Sequence, residues 1–205
     1  VRNGILIFST NEKFIRLNGK IYFPKRRLDK ATVKLFNGSI SGAEVEAKAV
    51  DLKTMNGKIV LSRCQAEKGE VEAGNGTVII ADGSIRDLEA ETVSGKVELS
   101  GSFEKVDVFT ISGIISLSLD EKADTVRAES GTGSIYIKVP TDAAIQGELK
   151  SNLGNVHVQL ENVQKKEEKA EILQKMLKFE KAGPPEKKIY VFGDSKMGSV
   201  YVQSL

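Results

Sequence analysis

Short runs of alternating apolar and polar residues recur along the chain. Thr92–Leu99 reads Thr-Val-Ser-Gly-Lys-Val-Glu-Leu, and related strings stand at 56–61, 75–80, 112–117 and 132–137. Their glycines and those of their relatives fall at positions 4, 19, 38, 57, 76, 95, 113, 133, 154 and 198. From Gly19 to Gly154 every step is 18 to 21 residues, the mark of a stacked-repeat architecture. Two residues after the glycines stand Ile5, Ile21, Ile40, Ile59, Val78, Val97, Ile115, Ile135, Val156 and Val200. All are β-branched, which suits an inward position on a strand. Two further on come Ile7, Phe23, Leu61, Ile80, Leu99, Leu117, Ile137, Val158 and Val202, with Gly42 the exception.

A second strand precedes each glycine. Five before it run Phe14, Val33, Leu52, Val71, Ala90, Val108, Ala128 and Leu149. Seven before it run Val50, Leu88, Val106, Val126 and Val191, with gaps at Glu12, Gly69 and Gly147. Leu28, Ala47, Ala66, Ile85, Phe103, Ala123 and Ala144 form a third column, ten before. These columns predict an all-β fold, a parallel β-solenoid of about ten coils of roughly 19 residues, as one domain over 1–205. Asn3, Asn18, Asn37, Asn56 and Asn75, then Ser94, Ser112 and Thr132, precede the corner glycines. Stacked Asn amides can bond from coil to coil, and Asn also tolerates a left-handed backbone.

The rhythm breaks between Gly154 and Gly198. Residues 164–181 are charged, and Ile172, Leu173, Met176 and Leu177 make one apolar stripe at helical spacing. This predicts an amphipathic α-helix, stopped by Gly183-Pro184-Pro185, before a final coil at 187–202. The helix is expected to cover the solenoid or to dock a partner.

Charge alters this picture little. Thirty Lys and Arg against 28 Asp and Glu leave +2, too balanced for nucleic-acid binding. The single Cys64 cannot close an internal disulfide. No apolar run reaches the ~18 residues of a membrane span, so membrane association is expected only through parts outside this chain. Val1 stands three residues before a repeat glycine, and the chain reads as a piece of a longer protein.

The candidate chemistry lies in two outward columns. Asp51, Glu70, Glu89 and Asp107 stand six before the glycine, and Lys53, Glu72 and Glu91 four before. On stacked strands these carboxylates lie ~5 Å apart, an acidic strip for a cationic peptide or Ca²⁺ unless lysines neutralise it. His157, Tyr136 and Tyr201 share another outward column, where tyrosines could stack on a sugar. A lone His makes no zinc site, and no nucleophile elbow, phosphate loop or dinucleotide fingerprint appears. No cofactor is expected.

The strings Thr-Val-Ser-Gly-Lys-Val-Glu-Leu, Ser-Gly-x-Ile-x-Leu and Gly-Thr-Gly-Ser-Ile-Tyr-Ile-Lys-Val-Pro, over 37–159, resemble a bacterial adhesin-type family of repeat domains of unknown function. The resemblance implies a β-solenoid of the bacterial cell envelope or surface, and some members are Gram-positive envelope-stress proteins. It carries no catalytic residues. The expected function is therefore non-enzymatic binding, adhesion or envelope-stress sensing, with a cationic peptide, envelope protein or glycan as partner. A bactofilin-like scaffold associating through the solenoid ends is the alternative. A polysaccharide-acting β-helix enzyme would need a basic partner for the carboxylates.

Overall fold

The structure, a computed structural model, describes residues 27–171, 173–184 and 187–205, and the backbone of 5–9. The columns' expectations at Asn3, Glu12, Phe14, Asn18, Ile21 and Phe23, and at Ile172 of the stripe, lie outside the described residues.

Among the described residues seventeen strands form a single sheet wound on itself. In chain order they are β1 (Ile5–Ser9), β2 (Leu28–Asn37), β3 (Ile40–Ala43), β4 (Glu46–Asn56), β5 (Ile59–Ser62) and β6 (Gln65–Asn75). Then come β7 (Val78–Ser94), β8 (Val97–Ser112), β9 (Ile115–Leu119), β10 (Thr125–Thr132) and β11 (Ile135–Val139). The last are β12 (Ala144–Ser151), β13 (Val156–Gln159), β14 (Val163–Glu171), β15 (Gln174–Lys181), β16 (Lys188–Ser195) and β17 (Val200–Ser204). Each coil carries a post-glycine and a pre-glycine strand. β7 and β8 are long because each runs from one straight into the other.

Stacking is parallel and in the register the glycines set. Leu52 pairs with Val71, Val71 with Ala90, and Ala90 with Val108. The inward columns are buried as expected: Ile59, Val78, Val97, Ile115 and Ile135 are fully enclosed, as are Ile85 and Phe103. The asparagine ladder is present. Asn56 donates through Nδ2 to Asn37 Oδ1 at 2.8 Å, and Asn75 to Asn56 at 3.1 Å. The left-handed non-glycine residues are instead Glu44, Arg63 and Asp82, at the opposite corner, and Asn162.

A column absent from the sequence reading stands three before the glycine. Thr54, Thr92, Ser130, Ser151 and Ser195 are buried. Thr54 donates to Gly38 O at 2.9 Å, Ser195 to Gly133 O at 2.8 Å and Ser151 to Gly198 O at 2.7 Å. These hydroxyls satisfy corner carbonyls on the neighbouring coil, which an apolar side chain would leave bare.

Four expectations need correction. The solenoid has about six turns, not ten, wound in chain order from β2 to β11. β1 pairs with β2, Ile5 opposite Lys30, so Ile5 and Ile7 do not continue the post-glycine column. Beyond β11 the order is exchanged. β16 and β17 lie directly on β10 and β11, and β12 and β13 lie on β16 and β17.

The late helix does not form, and no helix occurs among the described residues. β14 and β15 make an antiparallel hairpin, whose second strand pairs with β12. Leu173 of the supposed stripe lies at the hairpin turn, 67% exposed, whereas Leu177 and Phe179 are buried at period two. Strand pairing prevails because β12 offers an open edge. The alternating charges then pair with one another, Lys178 with Glu167 at 2.9 Å and Lys166 with Glu180 at 3.3 Å. In place of a covering helix, the hairpin extends the sheet from the edge of β12.

Candidate functional site

The outer face of the pre-glycine strands carries four columns. Stacked coils align Lys30, Ala49, Lys68, Asp87 and Lys105 in one, and Thr32, Asp51, Glu70, Glu89, Asp107 and Arg127 in the next. The third runs Lys34, Lys53, Glu72, Glu91, Phe109 and Glu129. Two before the glycine stand Met55, Gly74, Val93 and Ile111. Two adjoining open grooves, of about 670 and 770 Å³, run over this face.

All six carboxylates of the sequence-predicted strip lie here, but they divide into two groups. Asp51 is buried and faces two lysines, Lys34 at 3.3 Å and Lys30 at 3.5 Å. The Lys53 ammonium bridges Glu70 and Glu72, at 2.6 Å from the latter. Those bonds hold the lysine above its ordinary pKa and hold Glu70 below its own. This end of the strip is neutralised.

Glu89, Glu91 and Asp107 form no ion pair within 4.0 Å among the described residues. Desolvation, then repulsion from Glu89 and Glu72, raises the pKa of Glu91. Asp107 is also raised by desolvation, against the attraction of Arg127. Raised carboxylates mark charge without compensation. Beside them Met55, Val93 and Ile111 are about half exposed and Phe109 is 39% exposed. This apolar ridge was missed in the sequence, although reading two before the glycines finds Met55, Val93 and Ile111, and four before Gly113 finds Phe109.

The other candidates resolve into structure. Tyr201 stacks between Tyr136 and His157, with ring centroids 4.9 Å apart on both sides. Both faces of the Tyr201 ring and one face of each neighbour are therefore used within the stack. Cys64 is fully buried, and desolvation pushes its thiol up to about 11, the reverse of a reactive thiolate. Among the described residues no cluster of His, Cys, Asp and Glu is arranged to hold a metal ion; Ca²⁺ at the strip finds no support.

The chain's sequence over residues 2–192 matches the family described as Toastrack DUF4097. The chain belongs to the Toastrack DUF4097 family. It is similar to the uncharacterized protein YvlB of Bacillus subtilis (strain 168), 46% identical over 201 residues. That alignment covers 98% of this chain and 55% of YvlB, so the Toastrack chain spans about half the length of this relative. No solved structure matches it.

Proposed function

We propose that this Toastrack domain is a non-enzymatic binding module of the bacterial cell envelope, and that its pre-glycine face holds a cationic, amphipathic peptide segment. One observation carries the reading: the unpaired carboxylates Glu89, Glu91 and Asp107 lie beside the exposed apolar ridge of Met55, Val93, Phe109 and Ile111. A peptide with lysines on one side and leucines on the other would meet both at once. Several weak contacts at a fixed repeat add along one ligand. The resemblance to envelope-stress proteins supports a peptide met at the cell surface, where sensing or adhesion would follow from its capture.

A scaffold polymerising end to end is the weaker reading. β14 closes one end of the sheet with Lys165, Lys166, Glu168 and Lys169 exposed along it, and a charged edge strand discourages further pairing.

Fluorescence anisotropy with a lysine- and leucine-rich amphipathic peptide tests the proposal. The triple variant Glu89→Gln, Glu91→Gln, Asp107→Asn is expected to bind roughly tenfold or more weakly at low salt, with less salt sensitivity. Met55→Ser with Val93→Ser and Ile111→Ser is expected to weaken binding at all salt concentrations. Unchanged affinity in both variants would refute the site.

A further inference from the structure

We propose that the coil formed by β16 and β17 is exchangeable, and that a second copy of this chain can supply it, giving a domain-swapped dimer. Leaving β11, the chain does not lay its next coil on the growing end. It builds β12 and β13 one rung further out, turns back through β14 and β15, and inserts the β16–β17 coil into the gap. This coil has a neighbour on each edge and shares a turn with neither.

The slot is specific for this segment. Val191 pairs with Val126 on one side and Gly147 on the other, and Val200 with Ile135 and Val156. The glycine corners are in close contact through the slot. A Cβ on Gly198 would lie 2.0 Å from Gly133 O, and one on Gly154 2.2 Å from Gly198 O. Ser195 donates to Gly133 O while Gly198 O accepts from Ser151. The Tyr201 ring is held between Tyr136 and His157, and Phe192 lies between Arg127 and Lys150, 5.5 and 5.4 Å from its centroid. Among the described residues no other coil carries this set.

The inserted coil joins β15 only through residues 182–187, outside any described strand. Until it arrives, β10 and β11 present unpaired edges, and β12 and β13 lack their support. The same coil from another molecule makes every one of these contacts. Monomer and dimer then differ only in the path of the connection and in concentration. Exchange requires opening the slot, so the partition is set during folding and then retained.

Lys138 and Gln203 are Cα partners on β11 and β17, both on the outer surface, at a spacing a disulfide can bridge. Chains carrying Lys138→Cys alone and Gln203→Cys alone are mixed, refolded together at high or low protein concentration, and oxidised. Cys64 is buried and stays out of the reaction. Exchange predicts a covalent heterodimer at high concentration that is lost at low concentration, well above the dimer each single variant forms alone. Light scattering on the unsubstituted chain refolded in the same way should show the same dimer. A monomer at both concentrations, or a dimer without the 138–203 link, would overturn the proposal.

Discussion

Gly76 is glycine because of the coil beneath it. Its φ lies outside the left-handed region, yet a Cβ there would stand 1.7 Å from Gly57 O. A backbone carbonyl cannot move aside as a side chain can. Gly76→Ala should therefore cost roughly 3 kcal/mol or more. Gly69 makes the contrast: it is buried where Gly76 is half-buried, yet its Cβ would meet side chains only, Leu88 Cδ1 at 3.0 Å and Ile85 Cγ2 at 3.2 Å. Gly69→Ala should stay within about 1 kcal/mol of the parent, and urea denaturation of the two variants reads the difference. Equal losses would refute backbone stacking as the reason for the corner glycines. The hydroxyl column offers a second pair. Thr110 is fully buried and its Oγ1 has no hydrogen-bond partner, whereas Thr54 bonds Gly38 O. Thr110→Val should stabilise by about 1 kcal/mol and Thr54→Val destabilise by about as much. Two changes of the same sign in thermal melts would show that the hydroxyls are not what distinguishes these sites.

The hairpin of β14 and β15 is the element that ends the solenoid. Phe179 is buried over Gly147, where an added Cβ would lie 2.2 Å from its ring. Lys181, also buried, donates to Thr141 O at 2.6 Å and Ala143 O at 2.9 Å. Apolar filling and these two bonds together hold β15 on β12. Phe179→Ala should remove about 3–5 kcal/mol, with hydrogen exchange accelerating first in β12 and β15 and last in β6 and β7. Uniform acceleration across the sheet would instead mean that the end and the middle unfold as one unit. This is also where the sequence misled. Residues 172–177 fit a helical stripe, and the period-two set of Leu177, Phe179 and Lys181 was hidden because its third member is a lysine. The regular coils were legible for the opposite reason: each inward position repeats against its own kind, so the evenly spaced glycines from Gly19 to Gly154 align the columns without knowledge of the fold. That same sameness concealed the exchange of the last two rungs. β12 and β16 share one register, and nothing in a column of apolar residues states which comes first.

For the whole molecule, the division of the acidic strip sets an order of events on acidification. The strip's position was readable from spacing alone, but its division was not, because Lys30, Lys34 and Lys53 reach it from neighbouring coils through long side chains. Burial raises Glu91 and Asp107 above their ordinary pKa values, so within the strip they take up protons before the lysine-paired Glu70 as pH falls. A raised carboxylate opposes folding while it is ionised. Its protonation therefore relieves the folded state, and this contribution to stability increases as pH falls through the folded pKa. Glu70 and Glu167 are lowered by their lysines, Glu167 to about 2, and give up their stabilisation only below the ordinary range near pH 4. A cationic segment needs the first pair ionised. Its affinity should fall as pH is lowered through the raised pKa values of these carboxylates, while the melting temperature holds or rises over the same interval. The triple variant at Glu89, Glu91 and Asp107 should bind weakly with little pH dependence. Peptide anisotropy and thermal melts across one pH series check both halves. Parallel loss of affinity and of melting temperature would mean that acid weakens binding by loosening the solenoid, and the uncompensated carboxylates would lose their assigned part.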